Sequence, residues 1–106
     1  MPTLYRGRKD SVLEKIAEAL VAYERDHPGA QTSYYRQNST SVRIRVIDAE
    51  FSELSKADRG RIVWPYLRGL AEKVQGDITV LLLLSPDEAE KSLGNHDFEN
   101  PRPSRL

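Results

Sequence analysis

The chain has 106 residues, a formal net charge of zero, two histidines and no cysteine. This length suits a single domain that buries a core without disulfides, and the absence of cysteine excludes thiolate metal ligands and thiol nucleophiles. A neutral chain also lacks the strong positive charge of a non-specific nucleic-acid coat protein.

The start of the chain is basic but is not followed by the apolar run of a secretory signal. The longest apolar run, residues 80–84, is too short to span a bilayer. We therefore expect a cytoplasmic protein with no membrane partner.

The first half of the sequence predicts a helix followed by a β-hairpin. Residues 1–9 predict an irregular basic arm, and Ser11 with Glu14 has the spacing of a capping box that begins the helix. The dipeptide after His27, Pro-Gly, is expected to end that helix. Residues 31–37 and 42–47 predict two antiparallel strands joined by a polar turn. Side chains of the second strand are expected to alternate between the two faces of the sheet. Val42, Ile44 and Val46 face the core, and Arg43, Arg45 and Ile47 face outward.

The second half predicts a helix, a strand and a short last helix. Ser55 and Asp58 indicate the start of a helix that runs to Val74 and that Pro65 should kink or split. Residues 77–84 predict a strand that is apolar on both faces and therefore internal or covered. Ser85 begins the last helix, which Gly94 should end. The order α-β-β-α-β-α predicts an α+β domain over residues 1–94, with a three-stranded mixed sheet and helices on one face, followed by a polar disordered tail over residues 95–106.

Residues 41–88 resemble the BolA-like family, whose fold is similar to that of class II KH domains. The similar segments are a strand leading to Phe51-Ser-Glu-Leu54-Ser55, then Arg59-Gly60-Arg61 before Val63-Trp64, and later Ile78-Thr79-Val80-Leu81 before Ser85-Pro86-Asp87-Glu88. The resemblance implies a BolA-like or KH-like α+β scaffold and a regulatory role. The family is also associated with iron–sulfur cluster sharing with a monothiol glutaredoxin. Thr79 and Gly60 replace the family's histidines, so we predict no iron–sulfur cluster, no metal site and no cofactor.

The residues that usually carry catalysis have simpler interpretations, so we predict that the chain is not an enzyme. The serines Ser11, Ser55 and Ser85 all read as helix caps, and no Gly-x-Ser-x-Gly or phosphate-binding loop occurs. His27 and His96 lack a nearby second ligand in the sequence, and we interpret His27 as a favourable charge at a helix C-terminus. Asp48 and Glu50 lie two apart at a strand end, where we interpret them as solubilising loop residues.

Two binding hypotheses from different classes remain open. In the first, the protein is a regulatory module that contacts nucleic-acid phosphates and bases through Arg43, Arg45, Arg59, Arg61 and Tyr34. In the second, it is a protein-interaction adaptor or a homodimer that uses an open sheet face containing Ile47, Leu81 and Leu83. The second hypothesis assumes that Ile78, Val80, Leu82 and Leu84 point inward. Ordinary solvated arginines, and an arm or tail folded over the leucines, are the alternatives.

Overall fold

Four strands form one mixed sheet, in the order β1-β2-β3-β4, in the computed structural model, which describes residues 1–101. The strands are β1 (Thr3–Leu4), β2 (Gln31–Asn38), β3 (Ser41–Ile47) and β4 (Ile78–Leu84). β2 and β3 form the predicted antiparallel hairpin, while β1 runs parallel to β2 and β4 runs parallel to β3. The α+β class and the mixed sheet are confirmed, but the prediction of three strands is wrong. Two residues of the N-terminal arm pair with Ser33 and Tyr34, and two residues are too few to show strand alternation in a sequence.

The first helix, α1 (Ser11–Asp26), is capped by Asp10 and not by Ser11 as predicted. The Asp10 carboxylate accepts a hydrogen bond from the Leu13 amide at 2.9 Å and forms an ion pair with Arg36 of β2 at 2.7 Å. Aspartate caps as well as serine does, and the ion pair adds a contact that a serine at this position would not make. The same hydrogen bond from Arg36 lowers the pKa of Asp10 below its ordinary value.

The predicted second helix is two helices, α2 (Lys56–Leu67) and α3 (Glu72–Asp77). The Ser55 cap is confirmed, because its side chain accepts a hydrogen bond from the Asp58 amide. The interruption lies at residues 68–71, around Gly69, and not at Pro65, which sits inside α2 two residues before its end. Pro65 has no amide to donate to the Arg61 carbonyl, yet α2 continues through it to Leu67.

The main core lies between one face of the sheet and helices α1, α2 and α3, and we call this face of the sheet the first face. Its buried side chains are Leu13, Ile16, Leu20, Tyr23, Tyr34, Val42, Ile44, Val46, Phe51, Val63, Leu67 and Val74. Leu81 and Leu83 also pack against this core, because they pair in register with Ile44 and Val46. Their predicted position on an open face is wrong.

A β-bulge in β4 explains that error. Val42 pairs with Ile78, but the next residue, Arg43, pairs with Val80, so Thr79 is an extra residue in the ladder. An extra residue reverses which later side chains face inward. Ile78 therefore packs against the core as expected, while every side chain after Thr79 takes the opposite face from the one predicted.

The opposite face of the sheet, called the second face from here on, is covered by the C-terminal part of the chain. A capping box of Ser85 and Glu88 begins α4 (Pro86–Lys91), as predicted. Ser92 then caps a further helix, α5 (Leu93–Glu99), so Gly94 does not end the last helix and residues 93–99 are not a tail. α5 buries Phe98 against Tyr35 of β2, so helices lie on both faces and not on one. Of the predicted tail, residues 102–106 lie outside the described part of the chain.

No helix within residues 1–101 is long and apolar enough to cross a membrane.

Candidate functional site

The two arginines of β3 lie on the second face, where α5 occupies both. Arg45 is only 8% exposed. Its guanidinium donates to the Asn95 side-chain oxygen at 2.8 Å and to Glu99 at 2.9 Å, and it stacks on the Phe98 ring at 4.6 Å. Arg43 is half-buried and donates to the Asp97 carbonyl at 3.3 Å. The pair predicted to contact phosphate is thus engaged within the chain.

The arginines of α2 and the predicted stacking tyrosine lie elsewhere. Arg59 is buried and donates to both oxygens of Glu88 and to the Leu83 carbonyl at 3.1 Å. Arg61 is exposed and forms an ion pair with Asp58. Tyr34 is 1% exposed and belongs to the core on the first face. The structure does not bring the five predicted residues, Arg43, Arg45, Arg59, Arg61 and Tyr34, to one surface.

Of the three predicted interface residues, only Ile47 stays on the second face, where it is half-buried and pairs with Leu84. Because Leu81 and Leu83 pack inward, the sheet offers its edge in place of an open face. β4 is the last strand of the sheet within residues 1–101 and pairs only with β3. Its seven residues carry no charge, although edge strands are usually protected by charged residues or proline.

Two adjoining recesses follow the side of β4 that faces away from β3, which we call the outer edge. The first has a volume of about 320 Å³ and runs along Leu81–Leu84. The second, of about 370 Å³, continues past Leu84 to α4. Lys56 and Ser92 line both recesses, and Lys91 lines the second. Together they form one groove, with leucine side chains along the first recess and charges of both signs around the second, namely Lys56, Lys91, Asp87 and Glu88.

Glycine at position 94 brings α5 close to this groove. A Cβ atom on Gly94 would approach the Leu82 Cδ1 atom to 3.2 Å, which is tighter than ordinary van der Waals contact. The absence of a side chain therefore lets the first turn of α5 lie against β4. The groove is bounded on that side by backbone and the Ser92 hydroxyl.

A cluster of titratable side chains lies at the C-terminal end of α1. One nitrogen of His27 and carboxylate oxygens of Asp48 and Glu50 all lie within 4.8 Å of one another. His27 is the C-terminal cap of α1, and Asp48 caps the 3-10 turn that contains Glu50, residues 49–53. The His27 Nδ1 atom lies 2.7 Å from a Glu50 oxygen.

Tyr23 of α1 contacts two members of this cluster, Asp48 and His27. Its hydroxyl donates to Asp48 at 2.7 Å, and its ring stacks on the His27 ring at a centroid distance of 4.3 Å. Burial, followed by the hydrogen bond to Asp48, raises the pKa of Tyr23 far above its ordinary value. The hydroxyl therefore keeps its proton and acts as a permanent donor that fixes the Asp48 carboxylate.

Sequence reasoning considered His27 apart from the pair Asp48 and Glu50 and missed that the three meet. The signal was present in the hairpin register. Gln31 at the start of β2 pairs with Ile47 at the end of β3. A histidine four residues before the first strand and an aspartate just after the second must then lie at the same end of the sheet.

A scan against protein-family models gives no match, and a search of curated proteins gives no significant match either. The resemblance to the BolA-like family therefore stays a prediction.

Proposed function

We propose that this protein is a non-catalytic binding module that accepts an extended segment of a partner polypeptide along the outer edge of β4. The observation that carries the proposal is an uncharged, apolar edge strand beside a continuous groove. An exposed strand edge is a ready template for one more strand, and main-chain hydrogen bonds then supply affinity while side-chain pockets supply specificity.

The direction of the β4 main chain supports this mode of binding. The Asp48 amide donates to the Leu84 carbonyl at 3.0 Å, so Leu84 directs its main-chain groups toward β3. Neighbouring residues of a strand direct theirs to opposite sides, so Leu83 and Leu81 direct theirs to the outer edge. Arg59 already binds the Leu83 carbonyl. The main-chain groups of Leu81 are therefore the natural point of contact for an added strand.

The groove defines the chemistry of the partner. Its leucine side chains favour a segment with apolar side chains at alternate positions. The end nearest α4 carries charges of both signs, Lys56 and Lys91 beside Asp87 and Glu88, so it favours no single charge on the segment. The expected partner is thus an extended segment with apolar side chains at alternate positions.

This function is a form of the second binding hypothesis, the protein-interaction adaptor. The binding surface is the outer edge of β4 and not the open sheet face that the sequence predicted. A regulatory role on a BolA-like scaffold is compatible with it. Nucleic-acid binding by the β3 arginines has less support, because Arg45 is buried in an ion pair with Glu99.

A matched pair of valine substitutions tests the proposal. Val80 is the exposed valine of β4 and Val21 is the exposed valine of α1, with 36% and 41% exposure. Peptides selected from a random display library against the wild-type chain should bind the Val21→Lys variant unchanged. They should lose at least 10-fold in affinity for Val80→Lys, because a lysine on an edge strand opposes strand addition.

Hydrogen exchange gives the second measurement. Bound peptide should slow exchange of the Leu81 amide, which faces the outer edge, and leave the Leu82 amide, already bonded toward β3, unchanged. Equal affinity for the two lysine variants, or protection confined to α1, would contradict the proposal. Sedimentation of the free chain reports whether a second copy of the chain is itself the added strand.

A further inference from the structure

We infer that His27, Asp48 and Glu50 form a binding site for a divalent transition-metal ion, and that Zn²⁺ suits its donors best. The inference does not depend on the proposed peptide groove. It rests on three side chains from separate parts of the chain, the end of α1, the end of β3 and the following 3-10 turn, whose ligand atoms converge within 4.8 Å.

The donor set selects the cation. One imidazole nitrogen with two carboxylate oxygens is a mixed set that suits zinc and related transition metals. Calcium prefers six to eight oxygen ligands and magnesium keeps most of its water, so neither matches a set that includes a histidine. Zinc takes nitrogen and oxygen ligands at about 2.0–2.2 Å. At those bond lengths the ligand atoms of a tetrahedral site lie about 3.4 Å apart, so these side chains, whose ligand atoms lie within 4.8 Å of one another, have to close in around the ion. A fourth position stays open to water.

Two of the ligands are held in place while the third is free to adjust. Asp48 is 3% exposed. It accepts hydrogen bonds from the Tyr23 hydroxyl at 2.7 Å and from the Glu50 amide at 2.9 Å. An ionised carboxylate has about four lone-pair sites, so both oxygens keep capacity for a cation. Supporting hydrogen bonds of this kind orient metal ligands.

The His27 ring is held by stacking on Tyr23 and by an edge contact with Tyr66. Glu50 is different, because 62% of its side chain is exposed. Its carboxylate can swing toward an arriving ion, and the exposed side gives the ion a path from solvent. The cluster is therefore fixed on its protein side and adjustable on its solvent side.

The charge of the cluster also favours a bound cation. Within residues 1–101, His27 is the only basic group in ion-pair contact with either carboxylate. A buried carboxylate without a compensating cation is unfavourable. A divalent cation compensates both carboxylate charges at once.

The test is a calorimetric titration of tag-free protein with Zn²⁺, and with Ca²⁺ as the contrasting probe. The expected result is one Zn²⁺ per chain and no comparable binding of Ca²⁺. His27→Gln and Glu50→Gln should each weaken Zn²⁺ binding at least 10-fold. Tyr23→Phe removes a supporting hydrogen bond and should weaken it by about 10-fold to 100-fold.

Two matched substitutions separate this site from the rest of the surface. Glu53→Gln changes an exposed acid in the same 3-10 turn, and His96→Gln changes the other histidine, on α5. Both should leave Zn²⁺ affinity unchanged, and the circular dichroism of every variant should match the wild type. The NMR signals of the His27 ring should shift with added Zn²⁺. No binding at millimolar Zn²⁺, or binding abolished by His96→Gln and not by Glu50→Gln, would overturn the inference.

Discussion

Replacing Phe98 by alanine should release α5 from the second face while the main core stays folded. Phe98 is 2% exposed and is the only fully apolar side chain that α5 buries within residues 93–99. Its ring packs on Tyr35 at 4.8 Å and on Tyr5 at 5.5 Å, with the Arg45 guanidinium over it. None of these residues belongs to the core cluster on the first face.

Whether α5 stays docked depends on how the polar contacts that remain compare with the cost of ordering the helix. Deleting a buried phenylalanine side chain costs about 3–5 kcal/mol. The polar contacts that would still hold α5 include those of Arg45 with Asn95 and Glu99, and each is worth about 0.5–3 kcal/mol. Ordering the backbone costs about 1–2 kcal/mol per residue, and a helix of seven residues has little stability of its own. The balance favours the undocked helix.

Hydrogen exchange followed by mass spectrometry measures this directly. Amides of residues 93–99 should exchange at nearly the rate of an unfolded peptide in Phe98→Ala, while those of β3 remain protected. The urea midpoint of the main transition should fall by less than the full 3–5 kcal/mol would require. Leu93→Ala, at a position 84% exposed on the same helix, should change stability by less than about 0.5 kcal/mol. Loss of protection in α5 and β3 together, with the full loss of stability, would refute the reasoning.

Two further predictions concern charge. The hydrogen bond from Arg59 lowers the pKa of Glu88 from 4.5 to about 2, so its contribution to stability should be complete above pH 4.5 and disappear as the pH falls toward 2. The urea midpoints of the wild type and Glu88→Gln, compared across that range, should converge at the acid end, and a constant difference would contradict the prediction. For nucleic acid, Arg45→Ala should not alter the salt dependence of DNA binding while α5 is docked, because Glu99 already pairs with that guanidinium. Phe98→Ala should expose Arg43 and Arg45 and steepen the dependence by about two counterions, and a slope equal to that of the wild type would count against phosphate contacts on this face.

The parts of the fold that the sequence predicted are those set by neighbouring residues. The β2–β3 hairpin follows from alternation and a polar turn, and the caps at Ser55 and Ser85 follow from hydrogen bonds within one helical turn. The bulge at Thr79 was not predictable in this way, because it depends on how β4 aligns with β3, about 35 residues earlier in the chain. One unpaired residue reversed the orientation of Leu81 and Leu83 and removed the proposed open face.

The docking of α5 was missed for a related reason. The segment is polar, with Phe98 as its single large buried group, so its composition resembles a tail. Its stability comes from groups that lie far away in the sequence, mainly Tyr35 and Arg45. The same groups, considered without α5, suggested a surface for nucleic acid. The arginines were predicted to contact phosphate, but the partner that the structure gives Arg43 and Arg45 is the chain's own helix α5.

The covering of the second face by α5 also orders the events of synthesis on the ribosome. Every strand of the sheet precedes α5 in the chain, so α5 is the last of these elements to be synthesised. Until α5 docks, Tyr35, Arg43 and Arg45 lack the cover that it gives them on the second face. A nascent chain at this stage presents aromatic and cationic groups that the finished protein hides, and it is at this stage, more than in the finished protein, that chaperones and neighbouring chains can reach them.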